Sequence, residues 1–376
     1  MAYKSTSICR KCSLILCFML LFQAAIAQTG DIKFNKAGEW LKSNLTELGG
    51  RAVLVIFKDG KNIYTKSEND LSNRQKAIGK LIARRQGKDP DAALQDFTST
   101  TKERIASCSK WLSAALVMTF VDEGKLDLED SIGKYLPVMT TYGKGSITIW
   151  QCLSHLTGIK SESLKESREL ISNAISMNEA INSIAQQPME GPPGKTFHYS
   201  GVGLQIVAAI IEKIANKDFE TLFSERIALP CGMTQTDFGK GKVPLAAGSA
   251  WSTAADYINF LTMILNDGVF NGKKVLSKKS VTAMQLNRVT ATTDIKYTPA
   301  EAGNWGYGFG EWVMDDASGE KRSDGVTSPG LFGSFPWVDN KLHYAGFLFT
   351  FNINSKGRND RYRLLKKIID EAITDK

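Results

Sequence analysis

Hydrophobic positions along the chain change period several times. In FNKAGEWLKSNLTELGG the apolar residues Phe34, Ala37, Trp40, Leu41, Leu45 and Leu48 fall near helical spacing, and Gly49-Gly50 closes the run. AVLVIF predicts a buried strand, Asp59-Gly60 a tight turn, and NIYTKS its returning partner. NRQKAIGKLIARRQGK places Ile78, Leu81 and Ile82 at helical spacing among six basic residues. It reads as a solvated helix face; the alternative is contact with an anionic envelope polymer. A helix is predicted from about residue 107 to Phe120, with Gly124 as its stop. GKLDLEDSIGKYLP adds a turn, a short helix and a proline stop. The region from roughly 147 to 300 is largely helical in pattern, broken at Gly158, PMEGPPGK and LPCGM. WGYGFGEWVM and HYAGFLFTFNI predict strands separated by the loop-rich SDGVTSPGLFGSFPWVD, and RYRLLKKIIDEAI predicts a final amphipathic helix.

Strands thus lie at both ends and helices between them, unlike the alternation of a doubly wound parallel sheet. The pattern predicts an α+β fold, an α/β sandwich. In it an antiparallel sheet completed by the two chain ends is flanked by N- and C-terminal helices and carries a largely helical inserted subdomain, approximately residues 120–300. At 376 residues the chain suits one large domain with an insertion, or two domains. Low-complexity tracts and internal repeats are absent.

Composition changes this picture mainly at the N-terminus. Lys4, Arg10 and Lys11 precede the apolar run SLILCFMLLFQAAIA, and Ala25-Ile26-Ala27 is a small-x-small cleavage site, so residues 1–27 read as an export signal and 28–376 as the extent of the mature domain. The alternatives are a buried helix or an anchor, for which the run is short. Export to the periplasm or the extracellular space is the expectation, with no stable membrane insertion after cleavage. Removing the segment lowers the formal charge from +8 by three, to +5, and leaves Cys108, Cys152 and Cys231. Three cysteines do not make a disulfide framework; whether Cys152 pairs with Cys231 stays open. His155, His198 and His343 have no zinc-ligand spacing, so no metal or other cofactor is expected, and no nucleic-acid motif occurs.

IASCSKWLSAAL concentrates the candidate chemistry in Ser107, Cys108, Ser109 and Lys110. On a helix, Ser107 and Lys110 share a face, whereas Cys108 and Ser109 project elsewhere. A serine at a helix start has an unpaired backbone N–H behind it and an amine one turn away. That amine acts as a base only when burial or nearby cations lower its pKa. A cysteine nucleophile needs a thiolate-forming neighbour, and no histidine lies within 40 residues in sequence. S-x-x-K alone also fits a plain helix N-cap.

The segment SCSKWLSAALVMTFVDEGKLDLEDSIGKYLP resembles the nucleophile helix of the serine β-lactamase-like hydrolases, a superfamily of class C β-lactamases, D-alanyl-D-alanine carboxypeptidases and β-lactamase-fold esterases. The resemblance continues through SITIWQCLSHLTGI, PPGKTFHYSGVGLQIVAAIIEKI, LPCGMTQTDF and GSAWSTAADYINFLTMILNDG, in the family's order from about residue 50. It implies a β-lactamase/transpeptidase-like fold. It also implies Ser107 as acyl-forming nucleophile, Lys110 as its amine partner, and Tyr199 as the tyrosine of the second motif, which a cationic lysine would favour as tyrosinate. Ser328-Pro329-Gly330 is the best match to the third motif, making the N–H groups of Ser107 and Leu331 the oxyanion donors; a plain turn is the alternative. Gly201, Ser328 and Gly330 are then the substrate-facing positions. Two departures stand out: Gly201 replaces an asparagine and Ser328 replaces a lysine or histidine. Both remove contacts to a carboxylate-bearing substrate. The resemblance therefore implies a secreted serine hydrolase acting on an ester or amide, its partner a small-molecule or short-peptide acyl substrate. The alternatives are a β-lactamase or D-alanyl-D-alanine carboxypeptidase, and a non-catalytic envelope protein of the same fold. His155 reads as structural; His198 either tunes Tyr199 or is a solvated loop residue. Trp251, Trp305, Trp312 and Trp337 read as core, with an apolar cleft as the alternative.

Overall fold

The computed structural model describes residues 33–375 apart from 86, 88, 162–168, 170, 172 and 316–320. The expected export signal, 1–27, lies outside the described residues. Helix α1 (Asn35–Ser43) leads into strands β1 (Arg51–Lys58) and β2 (Lys61–Asn69), joined at Asp59-Gly60, both at positive φ. Helix α2 (Asn73–Arg85), strand β3 (Glu103–Arg104) and helix α3 (Ser109–Asp122) follow. Then come α4 (Pro137–Thr141), α5 (Ile149–Leu153), α6 (Met177–Gln186), β4 (Thr196–His198), α7 (Val202–Ala215) and α8 (Phe219–Phe223). Next are β5 (Trp251–Ser252), α9 (Ala254–Leu265), the hairpin β6 (Val269–Phe270) and β7 (Lys273–Lys274), α10 (Lys278–Met284) and β8 (Asp294–Tyr297). Strands β9 (Gly306–Tyr307), β10 (Trp312–Val313), β11 (Gly325–Thr327), β12 (Phe335–Asp339) and β13 (Tyr344–Thr350) and helix α11 (Arg358–Thr374) complete the chain.

Seven strands form one antiparallel sheet in the order β2-β1-β13-β12-β11-β10-β9. The N-terminal strand β1 pairs with β13, Val55 opposite Phe347, so the two ends of the chain close the sheet as the pattern predicts. Side chains alternate across it. Leu54, Ile56, Trp337 and Leu348 pack with Trp40 and Leu41 of α1 and Tyr362, Leu365 and Ile369 of α11. Val53, Val55, Phe347 and Phe349 face the second core, which holds Trp111 of α3 and Tyr257 of α9.

Three local expectations are corrected. The helix expected from 107 begins as a 3-10 turn over Ala106–Cys108 and becomes α-helical only at Ser109. WGYGFGEWVM is not one strand but a hairpin of β9 and β10, because Gly310 turns the chain at φ +74°. The loop-rich segment before HYAGFLFTFNI contains β11 and β12 in the middle of the sheet. Pro336 obscured β12, since proline disrupts ladders; it sits just beyond Trp337, where pairing with β11 stops. Trp305, Trp312 and Trp337 are buried in the core, while half-buried Trp251 carries the Arg104 guanidinium over its ring at 5.0 Å. All three described cysteines are free and buried, so Cys152 and Cys231 do not pair.

Candidate active site

Ala106 lies at φ +46°, a conformation a non-glycine side chain adopts only under local strain. It turns the chain sharply between β3 and α3 and sets Ser107 at the edge of the buried helix. Two serines fix the turn. Ser109 Oγ donates to Ala106 O at 2.5 Å and accepts from Ala250 N–H at 3.1 Å. Ser113, one turn later, donates to Ala246 O at 2.6 Å. The segment 246–250 is thereby strapped along α3, and Gln205 of α7 holds its other side, donating to Pro244 O at 3.1 Å and accepting from Ala246 N–H at 3.1 Å.

That strap presents the Ala247 carbonyl to Lys110. Lys110 Nζ donates to Ala247 O at 2.9 Å and to Ser107 Oγ at 3.1 Å, so the serine and amine share a helix face as their spacing predicts. Burial is the main influence on the ammonium and draws its pKa down to about 7, while the negative charge of Glu301 acts in the opposite direction. The amine stands 4.5 Å from the centre of the Tyr199 ring.

Tyr199 follows β4, which pairs in parallel with β8, and its N–H is held by Tyr297 O at 3.1 Å. Just beyond it α7 approaches α5 so closely that a Cβ on Gly203 would meet Cys152 O at 2.1 Å. The nearby Ser107 hydroxyl favours ionisation of the Tyr199 phenol, but burial is the larger influence and pushes its pKa up. The expectation of a tyrosinate is therefore corrected: the buried phenol keeps its proton, and the lysine is the group that titrates near neutrality. His155, itself at φ +60°, lies beneath the Tyr199 ring at 4.8 Å and bonds Tyr307 Oη through Nε2 at 3.0 Å. Burial and the Lys110 charge keep it uncharged, a packing role. His198 meets Glu190 at 2.6 Å and packs beside Tyr297.

Cys108 does not reach the site. Its thiol is buried against Ser334 O at 3.8 Å, burial pushes its pKa up, and its carbonyl accepts from Tyr257 Oη at 2.8 Å.

The third motif abuts the nucleophile turn. Ser328 Oγ donates to Gly310 O at 3.0 Å and to Ser107 O at 3.3 Å, so this buried hydroxyl clamps two backbone segments. Its expected place facing substrate is corrected, because its one proton is committed to carbonyls. Gly330 packs against Ile105, where a Cβ would lie 2.4 Å from the carbonyl oxygen. Leu331 follows at the surface, 42% exposed. Among the described residues the N–H groups of Ser107 and Leu331 meet no backbone acceptor. Gly201 is buried beside Ala247, its Cβ position 3.5 Å from the Ala247 methyl.

Gly330→Ala is expected to push this loop off the nucleophile turn, lowering kcat/KM on a soluble ester about ten- to a hundredfold and the melting temperature by a few degrees, roughly. Parallel kinetics and thermal melts check this, and wild-type values for both would mean the loop does not need the close approach.

Ser113, Gln205, Ala247 and Glu301 were not singled out by sequence, and Ser109 was singled out only as a candidate nucleophile, not as a brace for the turn. Only Ser109 and Ser113 leave a trace there, as polar residues four apart in an otherwise apolar helix. The others come from segments distant in the chain. Among the described residues no cluster of His, Cys, Asp and Glu could hold a metal ion, and no helix is long and apolar enough to cross a membrane.

Known proteins resemble this chain in sequence and in fold. The chain is 26% identical over 289 residues to Protein Rv1367c of Mycobacterium tuberculosis (strain ATCC 25618 / H37Rv), covering 62% of this chain and 71% of that one. Its fold matches EstCE1, a hydrolase with promiscuous acyltransferase activity, with a TM-score of 0.70 at 19% identity over 92% of this chain and 99% of the other. It also matches the octameric penicillin-binding protein homologue from Pyrococcus abyssi, with a TM-score of 0.68 at 18% identity over 89% and 77%. The Beta-lactamase family model matches residues 44–372, nearly the whole described chain, and the protein therefore belongs to that family of β-lactamase-fold serine hydrolases.

Proposed function

We propose that this chain is an exported hydrolase that cleaves an ester or amide of a small-molecule or short-peptide substrate through an acyl-enzyme on Ser107. The observation that carries the reading is the buried Lys110 amine, 3.1 Å from Ser107 Oγ and with a pKa drawn to about 7. About half of such amines are unprotonated at neutral pH and able to accept the serine proton. Ser107 Oγ attacks the carbonyl carbon as Lys110 Nζ takes its proton. The N–H groups of Ser107 and Leu331 receive the tetrahedral oxygen. Tyr199 passes its phenolic proton to the leaving group and is reprotonated from Lys110. Water then attacks the acyl-enzyme by the same route in reverse, returning the serine proton. The printed description of EstCE1 includes acyl transfer, and an alcohol in place of water would give that outcome here.

Substrate class follows from the two motif departures. A lysine or histidine at 328 would hold a substrate carboxylate and an asparagine at 201 would offer the substrate an amide contact; Ser328 is consumed in backbone bonds and Gly201 carries no side chain. This favours an acyl compound without a carboxylate beside the scissile bond. Export rests on the basic, apolar and small-residue order of residues 1–27. A panel of p-nitrophenyl esters, D-amino acid amides and β-lactams, with mass spectrometry of the trapped intermediate, tests the reading. Turnover of esters or amides through an adduct on Ser107 is expected. Preferential turnover of nitrocefin or peptidoglycan fragments would move the protein to the β-lactamases or D-alanyl peptidases, and no turnover or adduct with any class would make it a binding protein.

A further inference from the structure

Helix α2 departs from ordinary surface helices. Its basic residues are Arg74, Lys76, Lys80, Arg84 and Arg85, and it contains no acidic residue. Only Ala83 is buried, whereas Ile78, Leu81 and Ile82 are 46%, 49% and 48% exposed. These three share one helical face by their spacing, with Arg74 and Arg85 at the ends of that stripe. Folding has left the large aliphatic residues exposed and buried only the small Ala83, the reverse of a helix that packs by its apolar side.

The neighbouring surface extends the stripe. Ile78 and Ile82 form one wall of a groove whose other wall includes Arg104, Trp251 and Phe351. Phe351 stacks on Phe332 at 4.6 Å, next to exposed Leu331, and Ile353 beyond it is 72% exposed. The groove itself carries both signs of charge, Arg51 and Arg104 with Asp89 and Glu103. The helix does not: among the described residues only Lys80 of its five cations meets a carboxylate, Asp91 at 2.9 Å.

We propose that α2 is a peripheral docking element for an anionic phospholipid bilayer. Such a surface answers both halves of the pattern, taking Ile78, Leu81 and Ile82 into the boundary between headgroups and acyl chains while Arg74, Arg84 and Arg85 meet lipid phosphates. A soluble polyanion would satisfy the cations and leave the aliphatic stripe in water. A neutral apolar partner would strand the cations. The helix lies flat on the surface and does not span it, and the inference does not depend on the chemistry at Ser107.

Vesicle co-sedimentation of the protein as recovered from an expressing cell tests this, using phosphatidylcholine vesicles with and without roughly one-third phosphatidylglycerol. Binding to the anionic vesicles at least about tenfold tighter than to the neutral ones is expected, weakening in roughly 0.5 M NaCl. The combined Ile78→Ser, Leu81→Ser, Ile82→Ser variant is expected to lose about tenfold or more of that binding. So is the Arg74→Gln, Arg84→Gln, Arg85→Gln variant. Both are expected to keep wild-type turnover of a soluble ester and wild-type circular dichroism. Equal binding to both vesicle types would overturn the proposal. So would an aliphatic variant that binds like wild type, which is what attraction to any polyanion predicts. A third contrary result is a dimer in solution that dissociates in the aliphatic variant and binds no vesicle, because a second copy would then cover the face.

Discussion

Ser107→Ala is expected to abolish covalent labelling by a fluorophosphonate or penicillin probe and to lower ester turnover on the order of 10^4-fold or more, with the fold intact. The reason is geometric. The Ser107 hydroxyl accepts from the buried Lys110 amine, which itself stands 4.5 Å from the centre of the Tyr199 ring. Removing the oxygen removes the atom that forms the acyl bond and leaves no substitute. Ser109 donates to Ala106 O, and the Cys108 thiol is buried with its pKa pushed up, so neither can take over. Intact-protein mass spectrometry of the probe adduct, with Cys108→Ala as the companion variant, reads the result directly. Cys108→Ala should label like wild type; an adduct persisting in Ser107→Ala and vanishing in Cys108→Ala would assign the chemistry to the thiol.

Lys110→Met should slow acylation by about 10^2- to 10^4-fold, the usual span for a lost general base, and erase the pH dependence that the wild type shows. In the wild type kcat/KM should rise with pH through about 7 as the Lys110 ammonium loses its proton. The same substitution has an opposite effect on stability. Folding takes this lysine from an ordinary pKa near 10.4 to about 7. The unfolded chain therefore binds the extra proton between these values, and native stability is lowest below about 7 and recovers as pH rises toward 10. Methionine removes the burial penalty but leaves Ala247 O without its 2.9 Å donor. The net expectation is a higher melting temperature at pH 6.5, with the gain shrinking toward pH 9.5. Thermal melts across pH, set beside the rate profile, check both halves. A variant that keeps the wild-type rate profile would reduce Lys110 to a structural group.

Much of the frame was readable from local pattern. AVLVIF, Asp59-Gly60 and NIYTKS specify β1, its turn and β2, because a six-residue apolar run and a hairpin turn are local signals. RYRLLKKIIDEAI specifies α11 by its period. Strands of two or three residues carry no period. The hairpin of β9 and β10, and β11 beside them, exist because glycine backbones press into neighbouring elements, Gly310 against Lys110 and Ala114 of α3. Helix α2 shows the opposite failure. Its spacing was legible, but only the fold shows that Ile78, Leu81 and Ile82 stay exposed.

The sequence by itself determined the elements at the two chain ends, the closing of the sheet by those ends, and the placing of a serine and a lysine one helical turn apart. These depend on period and spacing within one segment. The tertiary structure alone decided which group beside Ser107 has its pKa lowered toward neutrality and which short polar side chains are tied up in backbone bonds. A lysine's pKa depends on how much water the fold removes from it, and here that removal comes from strands, helices and the 246–250 strap brought together from across the chain. It also decided that the Ser328 hydroxyl turns inward to backbone carbonyls, since no local signal says which way a short polar side chain points once two distant segments meet over it.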